Sequence, residues 1–555
     1  MAKTQAAGGC MTGGQILVRE LIARGVDTVF CVPGESYLAA LDAIYEAGDA
    51  IRLVVCRHEA GAANMAEAWG KLTGRPGICF VTRGPGACHA SIGIHTAKHD
   101  STPMILFVGQ VPRDQIGRGA FQEVDYPATF GDLAKWACQI DDAARIPEFV
   151  SRAYATALGG RPGPVVIALP EDMLSEEVQA PAAGREAEHW TAIPDDASMK
   201  RLIELLNTAE RPLLVLGGSQ WSEAGLADLT RFVEATGLPV TCGFRRQDLF
   251  DNRHPNYVGE SALGINPKLK ARWREADLII AVGTRLGEIV TDGYTNLDAP
   301  APGPKLVHVH PEASELGRVY QPTLAIACDP KAFARAAASA VAGASPRWDQ
   351  WRKSARGDYE AWQQPPASVG PVDMASIVGW LSDNLPENAI LTNGAGNYAI
   401  WLHRFFRYKR AGTQLAPTSG AMGYGLPAAI AAGIAHPDRP VVCFAGDGCF
   451  MMASTELATI VRHRVPVIVV VVNNGAYGTI RMHQERRYPG HVVGTELVNP
   501  DFAALAQSYG IAGWRVEQTE DFTPAFEAAR ASGEAALIEI VLPTAELSPT
   551  MKLKT

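Results

Sequence analysis

The sequence predicts an α/β protein made of three consecutive doubly wound parallel-sheet domains. Short apolar runs such as Val26 to Val32, Ile78 to Thr82, Met104 to Gly109, Leu278 to Gly283 and Val465 to Val472 alternate with stretches of helical periodicity. At 555 residues the chain exceeds one core and fits three domains of ~100–200 residues each. The alternation lapses twice, over the Ala/Pro/Glu-rich stretch Glu177 to Ser198 and over Ser345 to Gly370, which carries Trp, Arg and Pro-Pro with little apolar periodicity. Both read as linkers, and the domains then fall at 1–176, 196–345 and 371–555.

Composition narrows the function classes. Hydrophobic residues make up 47 % and charged ones 20 %, with 50 basic against 59 acidic residues and a net charge of −9. That is the balance of a soluble globular protein, and no basic run argues for nucleic acid as a partner. No run reaches ~18 apolar residues, and Met1 to Gly14 lacks the apolar core of a signal peptide, so the expectation is no membrane partner, a cytoplasmic enzyme and a frayed N-terminus. The ten cysteines are scattered, several inside strand-like runs (Cys31, Cys79, Cys443), and none forms a C-x-x-C pair. They read as reduced core residues.

In the first domain, a helix from Thr12 to Arg24 stops at Gly25, and the strand Val26 to Val32 runs into Pro33-Gly34-Glu35-Ser36-Tyr37. A second strand, Ile51 to Cys56, leads through Arg57-His58-Glu59 into a helix from Ala60 to Leu72. Glu59 thus sits at a strand-to-helix junction, where a carboxylate stabilises the helix start by ~0.3–1 kcal/mol. Ile78 to Thr82 is followed by the tight turn Gly84-Pro85-Gly86. Arg83, Cys88, His89, His95, Lys98 and His99 surround that turn. His95 and His99 share a helix face at i, i+4 spacing, but no third ligand stands at a recognisable spacing, so they read as surface or hydrogen-bonded core histidines, with a place in the lining of a substrate pocket as the alternative. After Met104 to Gly109 comes Gly119-Ala120-Phe121-Gln122-Glu123.

The middle domain has strands at Leu213 to Gly218, Leu238 to Cys242, Leu278 to Gly283 and Lys305 to His310. Gly217-Gly218 closes a strand without a full G-x-G-x-x-G, a weak nucleotide signal. The third domain opens with a helix from Met374 to Leu385, and its first strand, Ala389 to Thr392, runs into Asn393-Gly394-Ala395-Gly396-Asn397-Tyr398. Val441 to Ala445 is a strand ending at Gly446-Asp447-Gly448. A helical stretch from Phe450 to Arg462 follows, then Val465 to Val472 ending in Asn473-Asn474. Such a unit sets its turn at the carboxyl end of a parallel sheet, with backbone N–H groups at the helix start facing a ligand. Flanking glycines admit a diphosphate, the Asp447 carboxylate suits magnesium, and the Asn474 amide oxygen returns to the same edge. Leu537 to Leu542 reads as the closing strand and Thr544 to Thr555 as a mobile tail.

Gly446-Asp447-Gly448 with Asn473-Asn474 resembles the cofactor motif of thiamine diphosphate enzymes, and its surroundings resemble the acetolactate synthase branch over nearly the whole chain. The resemblance implies a pyrimidine-binding, a central and a diphosphate-binding domain. It implies that Mg2+ is held by Asp447, Asn474 and the main-chain carbonyl of Ala476. The segment from His58 to Ala68 resembles the family stretch carrying the glutamate that hydrogen-bonds the aminopyrimidine ring. Glu59 is therefore expected to be the proton switch that lets the cofactor's imine deprotonate its thiazolium carbon, buried enough to keep a raised pKa.

Further contacts follow from position in the family's pattern. Pro33, Gly34 and Gly84 would face the cofactor from the first domain, and Phe121 and Gln122 would touch the bound intermediate. Gly396, Asn397 and Tyr398 would make the first diphosphate contacts, joined by Gly446, Gly448, Cys449, Tyr477 and Gly478. Within Thr418-Ser419-Gly420-Ala421-Met422-Gly423, the Gly420 carbonyl would accept from the ring amine while Met422 wedges beneath the bent cofactor. Acetolactate synthases bind FAD in the middle domain, but the usual Arg-Phe-Asp-Asp-Arg segment is represented here only by Gly283 to Glu288. FAD, a domain without cofactor and an adenine nucleotide all stay open.

The activity implied is thiamine diphosphate- and Mg-dependent decarboxylation of a 2-oxoacid, pyruvate by default, with carboligation to a second carbonyl. The departures at Arg83, His89 and Lys98 keep a simple 2-oxoacid decarboxylase or an acyl transferase as the rival. A cofactor-binding protein without catalysis is disfavoured, because Glu59, Asp447 and Asn474 are all present. The family's shared sites imply a homodimer or dimer of dimers, Glu59 of one chain serving the cofactor held by Asp447 of another. Nothing in the chain specifies a regulatory subunit.

Overall fold

The computed structural model describes residues 9–185, 190–341, 343 and 346–553. The chain divides into two compact units. The first comprises residues up to Trp190 with Ile430–Ala435 and Ala453–Val465, and the second comprises the rest from Thr191 onward.

The first unit is built on a six-stranded sheet. Its strands lie in the order Arg52–Val55, Thr28–Cys31, Gly77–Val81, Met104–Gln110, Pro164–Pro170 and Trp136–Gln139. All neighbours are parallel, and numbered along the chain the order is 2-1-3-4-6-5. The four inner strands are buried throughout, which explains why they read as apolar runs rather than alternating ones. Helix Gly13–Ala23 starts at a capping box in which Thr12 and Gln15 satisfy each other's backbone N–H groups. Helix Glu59–Thr73 starts at His58, whose ring accepts from the Ala60 N–H, and ends at Gly74 in the left-handed region.

The second unit carries two six-stranded parallel sheets. The central sheet runs Tyr257–Ser261, Val240–Gly243, Pro212–Leu216, Leu278–Val282, Lys305–His310, Leu324–Ala327, the order 3-2-1-4-5-6. The other runs Gln414–Leu415, Ile390–Asn393, Val441–Gly446, Val467–Asn473, Ala536–Val541, Ala512–Val516. This repeats the first unit's 2-1-3-4-6-5.

Several expectations need correction. Within the second expected linker, Asp349–Trp362 is a helix whose Ala355 and Tyr359 are buried in the central domain's cores. Its apolar face is aromatic and small rather than aliphatic: Trp351 donates to the Pro212 carbonyl at 2.9 Å and lies under the Arg272 guanidinium. The first linker starts as a strand, Glu177–Gln179, paired antiparallel with Cys10–Thr12, and its last residues enter helix Asp196–Thr208; 186–189 lie outside the described residues. The frayed N-terminus was expected over a stretch whose first eight residues also lie outside them. Phe450 to Arg462 is not one helix but Asp447–Met451, a 3-10 turn at Ser454–Glu456 and Leu457–His463. The last long strand is not the edge, because Ala512–Val516 lies outside it. The expected tail contains the antiparallel pair Glu546–Ser548 and Met551–Lys552, with Leu547 buried.

Candidate active site

In the second unit, strands Val441–Gly446 and Val467–Asn473 run side by side with Gly446 opposite Val472. Adjacent strand ends therefore deliver Asp447 and Asn474 to one edge of the sheet. Asp447 is almost fully buried. Its Oδ1 accepts from the Gly448 N–H at 2.8 Å, and its Oδ2 from the Gly475 N–H at 2.9 Å and Asn499 Nδ2 at 2.8 Å. Burial pushes this carboxyl's pKa up, against the pull of those hydrogen bonds.

Asn499 carries no sequence signal beyond its polarity, since it reaches the site from a segment without regular structure. Its amide also donates to Asn473 Oδ1 at 2.9 Å, and Asn473 Nδ2 donates to the buried Glu539 at 2.7 Å. The paired asparagines therefore do different work. Asn473 ties the strand end to its neighbours, while Asn474 lines the cavity with its Oδ1 accepting from the Ala476 N–H at 3.2 Å.

That cavity encloses about 240 Å³. Every residue expected from the third domain lines it: Gly396, Asn397 and Tyr398; Gly420 and Met422; Gly446, Asp447, Gly448 and Cys449; Asn474, Ala476, Tyr477 and Gly478. Trp401, Thr479, Glu546 and Leu547 line it as well and were not anticipated. The glycines beside Asp447 have a packing cause: a Cβ on Gly446 or on Gly448 would come within 2.6 Å of the Tyr398 or Tyr477 ring. Gly420 is required by its backbone instead, with φ +72 and no atom within 4 Å of a would-be Cβ. Asn397 is committed to helix Gly478–Arg487, accepting from the Thr479 hydroxyl at 2.9 Å. The Tyr398 hydroxyl accepts from the Gly394 N–H and donates to Cys449 Sγ, and Arg245 Nη2 holds the Gly394 carbonyl at 2.8 Å. Met422 is half-buried against the domain's core.

The donor set fits a hard cation. The Asp447 carboxylate, the Asn474 amide oxygen and the Ala476 carbonyl are oxygen donors of residues that line one cavity, the kind Mg2+ takes. On the central sheet, by contrast, a Cβ on Gly218 would lie 2.1 Å from the Gly283 carbonyl oxygen, and one on Gly217 2.8 Å from the Thr284 side chain. Backbone packing accounts for these glycines without a ligand.

The first unit holds the other expected residues. Glu59 is the first residue of its helix and its side chain is 13 % exposed. Its Oε2 lies 2.9 Å from His89 Nδ1, and the His89 ring packs on that of His58 at 4.4 Å. The loop before Glu59 is fixed by Glu456, which is completely buried and accepts from the backbone N–H groups of Arg57 and His58 at 3.0–3.3 Å. Gly34 packs on Thr82, where a Cβ would clash at 2.4 Å, beside the exposed Pro33. Gly84 (φ +52) donates its N–H to the Tyr126 hydroxyl and lies against Gln122, itself at φ +64. Phe121 is 75 % exposed in this chain. Arg83 is spent on carboxylates, Glu171 at 2.7 Å and Glu35 at 3.2 Å, Lys98 bonds the Asp132 carbonyl, and the His95 and His99 rings lie 4.4 Å apart.

Comparison with known proteins accords with this geometry. Family models described as thiamine pyrophosphate enzyme match the chain in order: the N-terminal TPP binding domain at residues 11–129, the central domain at 199–337 and the C-terminal TPP binding domain at 394–540. The acetolactate synthase large subunit of Parasynechococcus marenigrum is 34 % identical over 92 % of this chain and 84 % of its own. The acetolactate synthase isozyme 2 large subunit of Escherichia coli is 30 % identical over 93 % of both chains. The acetolactate synthase large subunit of Corynebacterium glutamicum is 30 % identical over 94 % of this chain and 85 % of its own. The chain belongs to the thiamine pyrophosphate enzyme family, in the branch of the acetolactate synthase large subunits.

Proposed function

We propose that this protein is a thiamine diphosphate- and Mg2+-dependent carboligase that decarboxylates a 2-oxoacid, pyruvate by default, and joins the remaining acyl carbon to a second carbonyl. The observation that carries this reading is the cavity at the carboxyl end of the third sheet, where Asp447 and Asn474 meet. The names of relatives that match more than nine-tenths of this chain support it. When bound, thiamine diphosphate supplies a carbon nucleophile for the 2-oxoacid carbonyl and a sink for the electron pair released with carbon dioxide.

The chain's own residues bind, orient and move a proton. Asp447, Asn474 and the Ala476 carbonyl hold the metal on the diphosphate, with Asn499 fixing the carboxylate from behind. Met422 and the Gly420 carbonyl orient the rings. Glu59 holds a proton at the ring nitrogen. Each Glu59 serves the cofactor of a partner chain, which makes a homodimer or dimer of dimers the working assembly, without a nucleic-acid or membrane partner. The large-subunit names of the relatives support a separate regulatory subunit, and we place the enzyme in the cytoplasm. The domain bounds 1–176, 196–345 and 371–555 stand as our partition, with Asp349–Trp362 added to the central domain.

Purified protein given pyruvate, magnesium and thiamine diphosphate is expected to form 2-acetolactate, and to form none without the cofactor. Carbon dioxide release without a ligated product would instead establish the second reading, a 2-oxoacid decarboxylase. The Arg83 guanidinium, already paired with Glu171 and Glu35 where the family usually carries a small polar residue, favours that reading. Transfer of the acyl group to another acceptor would make the enzyme an acyl transferase.

A further inference from the structure

We propose that His89 is the proton relay of Glu59, exchanging that carboxyl group's proton with solvent. The inference rests on the reading of Glu59 as the ring-contact acid. Glu59 is only 13 % exposed, so water reaches it poorly, whereas the His89 side chain is 52 % exposed. Imidazole is the side chain suited to the task, because one ring nitrogen can give up a proton while the other takes one, close to neutral pH. His89 has the geometry for it. Nδ1 lies 2.9 Å from Glu59 Oε2. The ring is held in place by its contact with His58, whose own Nδ1 is engaged by the Ala60 N–H at 3.1 Å.

Helix Pro85–Asp100 sets this position, because the tight turn at Gly84-Pro85-Gly86 starts the helix one turn before His89, and Gly86 lets that turn pack closely on Thr82, where a Cβ would stand at 2.9 Å. His89 engages Oε2, so Oε1 is the oxygen left to the ring nitrogen. In the relay, a solvent proton adds to Nε2 as the Nδ1 proton passes to Oε2, and the reverse transfer returns it. One proton enters for each that leaves, and no co-reactant is needed. Glu456 fixes the other side of the pair by holding the backbone of Arg57 and His58.

The test reads the exchange of the cofactor's thiazolium C2 proton in deuterium oxide, by quenched flow and proton NMR, on protein loaded with thiamine diphosphate and magnesium. His89→Asn keeps a side-chain N–H for Oε2 but cannot relay, and exchange is expected to slow on the order of tenfold or more. His89→Ala is expected to slow likewise and to recover as imidazole is added. Glu59→Gln is expected to slow exchange by roughly 10²-fold or more. Wild-type exchange in His89→Asn beside a slow Glu59→Gln overturns the relay and leaves the role of Glu59 standing. Slow exchange in both His89 variants with no response to imidazole also overturns it, assigning His89 a merely structural hold. Wild-type exchange in Glu59→Gln overturns the reading on which the relay rests.

Discussion

The first and third sheets lay their strands in the same order, but what projects from their carboxyl ends differs in chemistry. After its second strand the first sheet presents Glu59, paired with His89, and after its third the Gly84-Pro85 turn. The third sheet presents nothing acidic after its second strand. It places Asp447 after its third and Asn474 after its fourth, both tied to neighbouring amide groups. Under the proposed function, one scaffold is furnished once to move a proton and once to hold a cation and its anion. Topology fixes where a site can be, and the residues at the strand ends fix what it does. The central sheet makes the same point. Its 3-2-1-4-5-6 order is that of dinucleotide-binding folds, but the facing glycines at its strand ends are used up in packing.

This division of labour can be broken by substitution. Asp447→Ala should abolish magnesium-dependent retention of thiamine diphosphate through gel filtration, an affinity loss beyond about 10²-fold. Glu59→Gln should do the opposite, keeping the cofactor while turnover falls by roughly 10²–10⁴-fold. Cofactor loss in that variant would merge the two roles. Asn499→Ala removes an amide that orients Asp447 without lining the cavity, and magnesium titration of activity should show a midpoint raised about 10–100-fold.

The smallest effect belongs to the central sheet, at a carboxyl group that does not line the cavity. Burial pushes the Glu260 carboxyl up to about 8 from 4.5, against the pull of Arg245. A pKa raised by folding contributes stability that is full below 4.5 and is lost as pH rises through about 8. Glu260→Gln should flatten the fall in Tm across that window, and an unchanged slope would exclude Glu260 as its source.

The parts legible in the sequence were those whose cause is local. Strands buried on both faces announce themselves as apolar runs, and the third domain's Gly-Asp-Gly and Asn-Asn sit at strand ends that periodicity alone can place. Edge strands were missed, Leu324–Ala327 and Ala512–Val516 among them: the first is only four residues with Ile326 alone buried, and Gly513 and Arg515 break the apolar run of the second. Helix Asp349–Trp362 was read as linker because its buried face is aromatic and alanine rather than leucine. Asn499 and Glu539 act on the site through hydrogen bonds spanning 52 and 66 positions, which leave no spacing to read. Phe121 and Gln122 came from family pattern alone, and the structure places Phe121 on the surface.

The carboxylate of Glu456 has a consequence for how the protein is made. It grips the backbone of His58 across 398 positions of chain, so the loop bearing Glu59 gains its final support long after it leaves the ribosome. At ~5–20 residues per second, that support arrives about 20–80 s after the loop itself. Until then the nascent first unit carries unpaired amide groups in the place where its acid must later be held, a window in which a chaperone has something to recognise. A fragment ending near Trp190 would live permanently in that window.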